Sequence, residues 1–506
     1  MTAFRLADAN SSFAWAHQAW SELAARTDKD DVLVILPVHG FADHGMGLPL
    51  DAEEIMGSSV LNSAMTALPA DMPLIVLPPL RLCLAPYPHT FFGVDAETAL
   101  ASLAEIATSV KSAGFKKLVL FTTSPWNAEL ISTAALEARV SLDIYLYVIS
   151  GAGIGLGFHP TDPHRAKTQA TVAWLARVTP ESSPVDSDIR DADFRPGRYA
   201  QPTFVPFDSS LDGAALLISA ADQLASLLCE ISAHHGMNAR MAANPASIVE
   251  AAACPAYRTR YLGAFTTRKI AELPFKENAL VIIPTGAIEQ HGHHLPLGTD
   301  AMLGQLLLAH ALPKLSETAP VYVTPPITYG KSIEHAEFAG TVTITARTLR
   351  QQLTALATQL KALGFRQIAI LNTHGGNSTV LVSTVRELQM SLDLRIGILS
   401  GYYKPEQTPQ EAAFGFHAGE WETSLMLAGA PELVKMDRAV CEYPARLDDP
   451  GLLRPEAAPA VFAWKTGDIS KSGVMGNATL ATEEKGRRWL DEASTALAGK
   501  IQSLIG

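Results

Sequence analysis

Five ionisable side chains stand within twelve positions of one short segment. The segment is IIPTGAIEQHGHHLPLGTDAM, Ile282 to Met302, and an apolar run precedes its Glu289, His291, His293, His294 and Asp300. Glu289 and His291 are two residues apart, so in an extended chain their side chains point to the same side. Imidazole and carboxylate groups are common protein ligands of Zn²⁺ and Mn²⁺. The segment therefore predicts part of a metal site.

Two later segments add similar groups. NTHGGN brings His374 onto the Gly375-Gly376 loop, and FHAGEWETS contains His417 and Glu422. We predict a site for Zn²⁺, Mn²⁺ or a pair of such ions, with Asp300 as the candidate bridge, whose ligands are Glu289, His291, Asp300, His374 and Glu422. Two such ions could polarise a carbonyl group and activate a water molecule. His417 is then the candidate for proton transfer, because an imidazole exchanges protons near neutral pH.

Other residues of these segments admit a plainer interpretation. EQHGHH, taken alone, could be a solvated loop, and we expect His293 and His294 to surround the site. Asn377 is a candidate cap for the helix that follows it. The loop YGKSIEHAEFAGT either contacts substrate or belongs to the surface, and Trp421 is either core or pocket wall. The predicted substrate contacts are Ser332, His335, Gly375, Gly376 and Trp421.

The elements that position these residues alternate between short apolar runs and longer amphipathic stretches. Four apolar runs predict strands: ALVIIP, VYVTPPI, QIAILN and RIGILS. The stretches between or after them have apolar residues at helical spacing, which predicts helices. This order predicts an α/β fold with a mainly parallel sheet. Ligands of such sheets gather at the carboxyl ends of the strands. The three polar segments all follow strands, so we expect them to converge.

The sequence repeats itself. At an offset of 247 residues, ILPVHGFADHGMGLPL (35–50) matches the metal-site segment, and His291 falls on His44. At an offset of 250, ALGFRQIAILNTHGGN lies on SAGFKKLVLFTTSPWN. We predict a duplicated domain in three-layer α/β/α form, with copies at 1–245 and 256–506.

The first copy lacks much of the polar set. Ala42, Glu53 and Ser124 stand where the second copy has Glu289, Asp300 and His374. At an offset of 253, His164 and Gln169 match His417 and Glu422. We expect the first copy to be non-catalytic, with a different site on His44, Glu53, His159 and His164 as the alternative.

Composition limits the class of partner. The 506 residues carry a net charge of −12 and no basic cluster, which argues against nucleic-acid binding. The four cysteines show no CxxC spacing and are expected to be reduced core residues. No signal peptide is evident and no apolar run approaches the ~20 residues of a membrane span. We therefore expect a cytoplasmic protein without membrane contact.

PTGAIEQHGHHLPLGTD, NTHGGN and FHAGEWETSLML resemble the signature motifs of the creatininase (creatinine amidohydrolase) family. SGVMGNATLATEEKGRRWL is similar to that family's C-terminal stretch. The resemblance implies a layered α/β fold, a binuclear Zn or Mn site and hydrolysis, most often of a C–N bond. It also implies that Glu289, His291, Asp300 and His374 are metal ligands and that His417 is catalytic.

One position departs from the creatininase pattern. Gly376 stands where creatininase itself has a glutamate ligand, and Glu422 is the expected replacement. The departure weakens creatinine as the substrate, and relatives with this loop include deformylases, a mycofactocin peptidase and an inosose hydrolase. Family members are often hexamers, so we expect a homo-oligomer, and a fused pair of copies could form a trimer that imitates a hexamer.

We predict a metal-dependent amidohydrolase that cleaves a C–N bond of a cyclic amide, amide or formamide through a metal-activated water. His417 would protonate the leaving nitrogen. The alternatives are ring opening of a cyclic keto-polyol, peptide cleavage, and a non-enzymatic scaffold or ligand-binding protein. A scaffold would not need five complementary ligands in three distant segments.

Overall fold

The computed structural model describes residues 13–45, 47–86, 90–159, 162–179, 213–234, 255–400, 403–443, 453–456 and 460–505. We call the described residues 13–234 the N-terminal lobe and 255–505 the C-terminal lobe. Residues 235–254, where the two predicted copies would meet, lie outside the described residues, so the domain limits 1–245 and 256–506 stay a prediction. Cys254 also lies outside them.

The N-terminal lobe alternates strands with helices. Its strands are β1 (Leu33–Val38), β2 (Phe41–Ala42), β3 (Leu74–Val76), β4 (Thr90–Phe91), β5 (Lys117–Thr122) and β6 (Tyr145–Ser150). Its helices are α1 (Trp20–Ala25), α2 (Ala52–Met65), α3 (Ala96–Ser112), α4 (Ala128–Leu142), α5 (Arg165–Ala176) and α6 (Gly213–Ala233).

The C-terminal lobe repeats this order and then extends it. Its strands are β7 (Leu280–Thr285), β8 (Val321–Val323), β9 (Gln367–Asn372), β10 (Arg395–Ser400), β11 (Cys441–Glu442), β12 (Leu453–Arg454), β13 (Ala460–Val461) and β14 (Gly476–Asn477). Its helices are α7 (Thr267–Glu272), α8 (Thr299–Ala311), α9 (Ala346–Ala362), α10 (Ser378–Leu392), α11 (Pro409–Phe414), α12 (Glu420–Gly429), α13 (Thr466–Ile469) and α14 (Glu483–Ile505).

Each lobe has a four-stranded parallel sheet flanked by helices, which confirms the predicted α/β class. The strand orders are β3-β1-β5-β6 and β10-β9-β7-β8. Val34 pairs with Leu118 in one lobe and Val281 with Ile368 in the other, at the offsets found in the sequence. Both central strands β1 and β7 are buried along their whole length, as expected for parallel strands covered on two faces. The duplication therefore extends to strand register.

The two lobes hold each other through reciprocal contacts. Four backbone hydrogen bonds run between them: Leu50 N to Phe265 O (3.1 Å), Asp51 N to Gly263 O (2.9 Å), Leu297 N to Gln18 O (2.9 Å) and Gly298 N to Ala16 O (2.9 Å). Each donor and acceptor lies 247 positions from its counterpart in the other pair. The interface is thus isologous within one chain. The loop that leads to Asp300 is held by the N-terminal lobe.

Two expectations from composition need correction. The 21-residue helix α6 is long and apolar enough to cross a membrane by length and composition, whereas the sequence analysis expected no such run. Its buried residues, among them Leu217, Leu224 and Leu228, recur at helical spacing, and the helix packs on α2 and α5. Cys83 and Cys229 are buried free thiols as expected, but Cys441 is exposed.

Candidate metal centre

The predicted ligands come from segments that end at one edge of the C-terminal sheet. Glu289 and His291 lie in the buried loop after β7, and Asp300 lies in the first turn of α8. His374 follows β9 by two residues. His417 precedes α12, and Glu422 lies in its first turn. The carboxyl ends of parallel strands meet at this edge, and the structure brings all six side chains together.

Asp300 stands between two groups of donors. Its Oδ1 is 3.3 Å from His291 Nε2, and its Oδ2 is 3.1 Å from His374 Nδ1. On one side Glu289 Oε1 is 3.2 Å from His374 Nδ1. On the other side Glu422 Oε1 is 4.0 Å from His291 Nε2. Each oxygen of one carboxylate thus faces a different donor group.

Three histidines of the centre each have one nitrogen fixed by a carbonyl. Nδ1 of His291 is 3.1 Å from Glu289 O, Nε2 of His374 is 3.0 Å from Lys331 O, and Nε2 of His417 is 2.8 Å from Gln290 O. A carbonyl only accepts, so these nitrogens carry the proton and donate. The opposite nitrogens face the carboxylates and are the ring atoms available to a metal ion. This orientation is typical of metal-binding imidazoles.

The centre contains buried polar atoms without hydrogen-bond partners among the residues that the structure describes. They are both carboxylate oxygens of Glu289, Nε2 of His291 and Oδ2 of Asp300. Glu289 and His291 are fully buried. An unsatisfied buried polar atom costs about 1–3 kcal/mol, and more when it is charged. Divalent cations would satisfy these atoms, so the residues present fit a metal centre.

Three groups of donors bring their ligand atoms within 4.8 Å of one another. They are Glu289–Asp300–His374, His291–His417–Glu422 and Glu289–His335–His417. The first two contain all five predicted ligands and His417. Among the residues that the structure describes, none of these groups draws on the N-terminal lobe.

The sequence model of the family described as creatinine amidohydrolase matches residues 16–186 and 264–501. The chain belongs to the creatininase family. The two matched segments fall in the two lobes, which agrees with a tandem duplication of a creatininase domain.

Three curated relatives align with about half of the chain. A mycofactocin precursor peptide peptidase of Mycobacterium ulcerans is 33% identical over 46% of this chain and 87% of its own length. A creatinine amidohydrolase of Pseudomonas putida is 28% identical over 46% and 95%. A 3-dehydro-scyllo-inosose hydrolase of Thermotoga maritima is 29% identical over 48% and 82%. A solved mutant creatininase of Zn-Zn type is 25% identical, covers 48% of this chain and 97% of its own, and has a TM-score of 0.41.

The charged groups of the candidate metal centre shift one another's pKa values. Burial lowers the pKa of His291, but the carboxylates of Asp300 and Glu422 outweigh it and raise that pKa to about 9. Burial raises the pKa of Glu422 to about 7. Burial would raise the pKa of Asp300, but His291 and His374 bring it well below its usual range. Burial, the nearby His291 and other positive neighbours hold the pKa of His417 far below 6.5.

The predicted substrate contacts lie in different places. Gly375 and Trp421 line a cavity of about 260 Å³ that also reaches His374, His417 and Glu422. Ser332 is buried behind the centre, where its Oγ is 3.1 Å from His374 Nε2. Gly376 does not line this cavity, and a side chain there would collide with Glu334 and with Lys331 O. These assignments stay predictions.

His335 lies closer to the centre than a substrate loop suggested. Its Nε2 is 3.5 Å from Glu289 Oε1, and its ring stacks on His417 with centroids 4.4 Å apart. Its Nδ1 is 2.6 Å from Thr466 Oγ1 and lies on the opposite side of the ring. His335 therefore turns one nitrogen toward Glu289, as His374 does.

Gln290, which no sequence pattern indicated, connects several parts of the site. Its side-chain nitrogen is 2.9 Å from His335 Nδ1 and 3.0 Å from His417 Nε2, and it donates to Gly473 O at 3.1 Å. Its side-chain oxygen accepts from Gly292 N at 3.0 Å. The Gln290 side chain therefore helps to fix His335, and the Gln290 backbone carbonyl fixes His417. Its place between two predicted ligands was the signal that could have drawn attention to it.

Glu411 also supports the site and was not predicted. Its buried carboxylate accepts from Glu420 N (2.9 Å), Tyr443 Oη (2.8 Å) and Asn477 N (2.8 Å). It thereby joins three segments around the loop that carries His417. Glu411 lies in the six-residue helix α11. A helix this short has no periodic pattern that could have marked a buried carboxylate in the sequence.

Three residues that had a structural alternative can now be placed. Asn377 precedes α10 but makes no side-chain cap, so that expectation is wrong. Its Oδ1 accepts from Lys331 N (2.9 Å) and its Nδ2 donates to Gly286 O (3.0 Å), which ties two site loops together. His294 is buried, with its Nε2 2.8 Å from Thr423 Oγ1, and the ring of His293 lies 4.8 Å from that of Trp20 at a tilt of 37°. Neither histidine belongs to a donor group, as expected.

The corresponding edge of the N-terminal lobe is closed by its own side chains. Glu53 accepts from Gly40 N (2.7 Å), and its Oε1 is 3.0 Å from His44 Nε2. Ser124 Oγ accepts from Asn127 Nδ2 (2.9 Å). His164 is exposed at the start of α5, and the ring of His159 lies 5.9 Å from that of Trp126.

Proposed function

We propose that the chain is a metal-dependent hydrolase that cleaves a C–N bond of an amide, cyclic amide or formamide in its C-terminal lobe. One observation carries the proposal. Asp300 lies between two donor groups whose histidines each turn one ring nitrogen toward buried carboxylates, and Glu289 and Asp300 have carboxylate oxygens without hydrogen-bond partners among the described residues. Membership of a family of amidohydrolases supports the reaction class.

We propose a binuclear centre of Zn²⁺ and/or Mn²⁺. Glu289, Asp300 and His374 would hold one ion, and His291, Asp300 and Glu422 would hold the other. When bound, two such ions supply an activated water and polarise the substrate carbonyl. Imidazole and carboxylate ligands suit both metals.

His417 would transfer the proton to the leaving nitrogen. It lines the cavity, and its Nε2 is held by Gln290 O at 2.8 Å. Its Nδ1 is therefore the nitrogen that can accept a proton and pass it on. The stacked ring of His335 fixes the orientation of the His417 ring.

Peptide cleavage is the second candidate, because the mycofactocin peptidase relative is 33% identical. Ring opening of a keto-polyol is a third, supported by the inosose hydrolase relative. We also propose that the chain acts as a cytoplasmic homo-oligomer on a small molecule, and light scattering of the purified chain would test the oligomeric state. A trimer would fit the duplication.

Metal analysis and a matched pair of variants test the proposal. The purified chain, reconstituted with Zn²⁺ or Mn²⁺ and dialysed, should retain two ions. His374→Ala should lose at least one ion and the hydrolysis of cyclic amides, formamides or short peptides. Ser124→Ala, at the matching position of the N-terminal lobe, should keep both. No affinity for either metal, or an inactive Ser124→Ala variant with normal His374→Ala turnover, would contradict the proposal.

A further inference from the structure

We infer that the cavity beside the metal centre is a subsite for a branched or aromatic apolar group of an uncharged amide substrate. The inference rests on the proposed function and names its substrate class. The cavity has a volume of about 260 Å³ and is bounded by His374, His417 and Glu422 on the side of the centre. A carbonyl group at the centre would therefore have its substituent in this cavity.

The leucines that line the cavity lie on the same faces of α8 and α12 as the proposed metal ligands. Asp300, Leu303 and Leu307 are three and four residues apart on α8, so they share one face. Glu422 and Leu425 are three residues apart on α12. Each helix thus presents a carboxylate to the centre and a leucine one turn further along. A substituent on the bound carbonyl would meet these leucines.

The leucines are fixed in position. Leu303, Leu307 and Leu425 have 4%, 2% and 1% of their surface exposed, and helices α8 and α12 pack against each other. Trp421 adds an aromatic ring to the lining, and Phe416 contributes to the same cavity. Polar residues, among them Asn372, Ser378 and Gln407, line the rest of the cavity. The side formed by helices α8 and α12 therefore favours apolar ligand groups.

The charges of the lining disfavour an anionic substituent. Among the described residues that line the cavity there is no lysine or arginine, while Glu411 and Glu422 are both present. The Glu411 carboxylate is already engaged by Glu420 N, Tyr443 Oη and Asn477 N. An acidic group would face two carboxylates without a cationic partner from this lining.

The volume suits a group larger than a methyl. A dry cavity of about 150 Å³ binds benzene, so about 260 Å³ accommodates a branched aliphatic or aromatic group. Each buried methylene strengthens binding about fourfold. Several such carbons should therefore give a gain of at least about tenfold after incomplete burial is allowed for.

Hydroxamates, which chelate metal ions through a carbonyl, provide the probes. Calorimetry on the Zn-loaded chain compares acetohydroxamate with 4-methylpentanohydroxamate and with the anionic succinic monohydroxamate. The branched compound should bind at least about tenfold more tightly than acetohydroxamate, and the anionic one should not share this gain. Leu307→Phe should reduce the gain to less than about threefold, because the added ring fills the subsite.

Variants and a second probe separate the possible failures. Leu425→Phe provides a second test should Leu307→Phe fail to fold, and Val60→Ala, 247 positions before Leu307, should keep the gain. Equal affinity for the first two hydroxamates, or a gain that survives both phenylalanine variants, overturns the inference.

If the chain takes up no metal, the proposed function fails instead. NMR titration with 4-methylpentanamide and acetamide then tests the subsite alone, and equal binding overturns it.

Discussion

The two lobes share a frame and differ in how they satisfy one buried cluster. In the N-terminal lobe, Glu53 reaches Gly40 N and His44 directly, so its carboxylate has protein partners. In the C-terminal lobe, the shorter Asp300 stands at the matching position, and its Oδ2 has no hydrogen-bond partner among the described residues. Glutamate has one methylene more than aspartate. The longer Glu53 side chain can therefore reach partners within the protein. The residues common to both lobes are those that the fold requires, and those found only in the C-terminal lobe are those that a metal ion would require.

The N-terminal lobe also fills space that its counterpart leaves open. His39 stands where the C-terminal lobe has Gly286, and its ring packs over Gly57. Trp126 stands at the position of Gly376 and is 7% exposed. Bulky side chains thus replace glycines on the side of the lobe where the other copy carries its site. The N-terminal lobe has a structural role: its reciprocal backbone hydrogen bonds with the C-terminal lobe hold the loop that leads to Asp300.

The sharpest way to break this comparison is to remove the Asp300 carboxylate, which the two proposed ions would share. Asp300→Asn should lower turnover at least about 100-fold, because a metal ion provides several kcal/mol of transition-state stabilisation and each 1.36 kcal/mol is about tenfold. Glu53→Gln should leave turnover within about twofold, since the N-terminal lobe has no part in the proposed reaction. Steady-state kinetics with metal content measured in parallel checks both. Comparable losses in the two variants would mean that both lobes act in catalysis.

The carboxylate of Glu411 should matter for a different reason. Glu411→Gln replaces one acceptor oxygen with a donor, and hydrogen bonds to charged groups contribute about 1.5–3 kcal/mol each. We expect the metal affinity to fall about 10–100-fold, as for other residues that support ligands from behind. Equilibrium dialysis measures the affinity, and the exposed Glu406→Gln is the matched control. An unchanged affinity in Glu411→Gln would show that the loop around His417 holds its shape without it.

Acid should weaken the N-terminal lobe through His39. Burial lowers the pKa of this side chain from 6.5 to about 4. Between these values the unfolded chain binds a proton that the folded chain does not, so the free energy of unfolding falls as the pH falls. The loss approaches about 1.4 kcal/mol per pH unit and amounts to roughly 1.5 kcal/mol between pH 6.5 and 5. Urea denaturation at several pH values should show a weaker pH dependence for His39→Gln, and an equal dependence would refute this role.

The smallest effect on turnover is expected where Glu53 meets the backbone. A Cβ at Gly40 would lie 2.8 Å from Glu53 Oε2, so Gly40→Ala should displace the carboxylate. We expect a loss of about 1–3 kcal/mol in unfolding free energy, as for other overpacked sites, with turnover unchanged. Gly499→Ala, where no atom would lie within 4 Å, is the control. If Gly40→Ala lost metal as well, the lobes would be coupled.

Much of the fold could be predicted from local patterns in the sequence. The runs around β7, β9 and β10 and the helical periods of α9 and α10 indicated these elements nearly at their observed bounds. Where the pattern was local but ambiguous, the prediction was wrong. Asn377 bonds to the backbone of Lys331 and Gly286, which are distant in sequence, and the sequence suggested only a cap.

The sequence by itself determined the duplication, the α/β class and the three segments that converge, because repeats and strand ends are properties of residue order. Tertiary structure decided which atoms face each other. It placed His335 against Glu289, gave Glu411 three donors from separate segments, and set the cavity wall on α8 and α12. Such contacts join residues far apart in the chain, and their geometry depends on packing that no local pattern encodes.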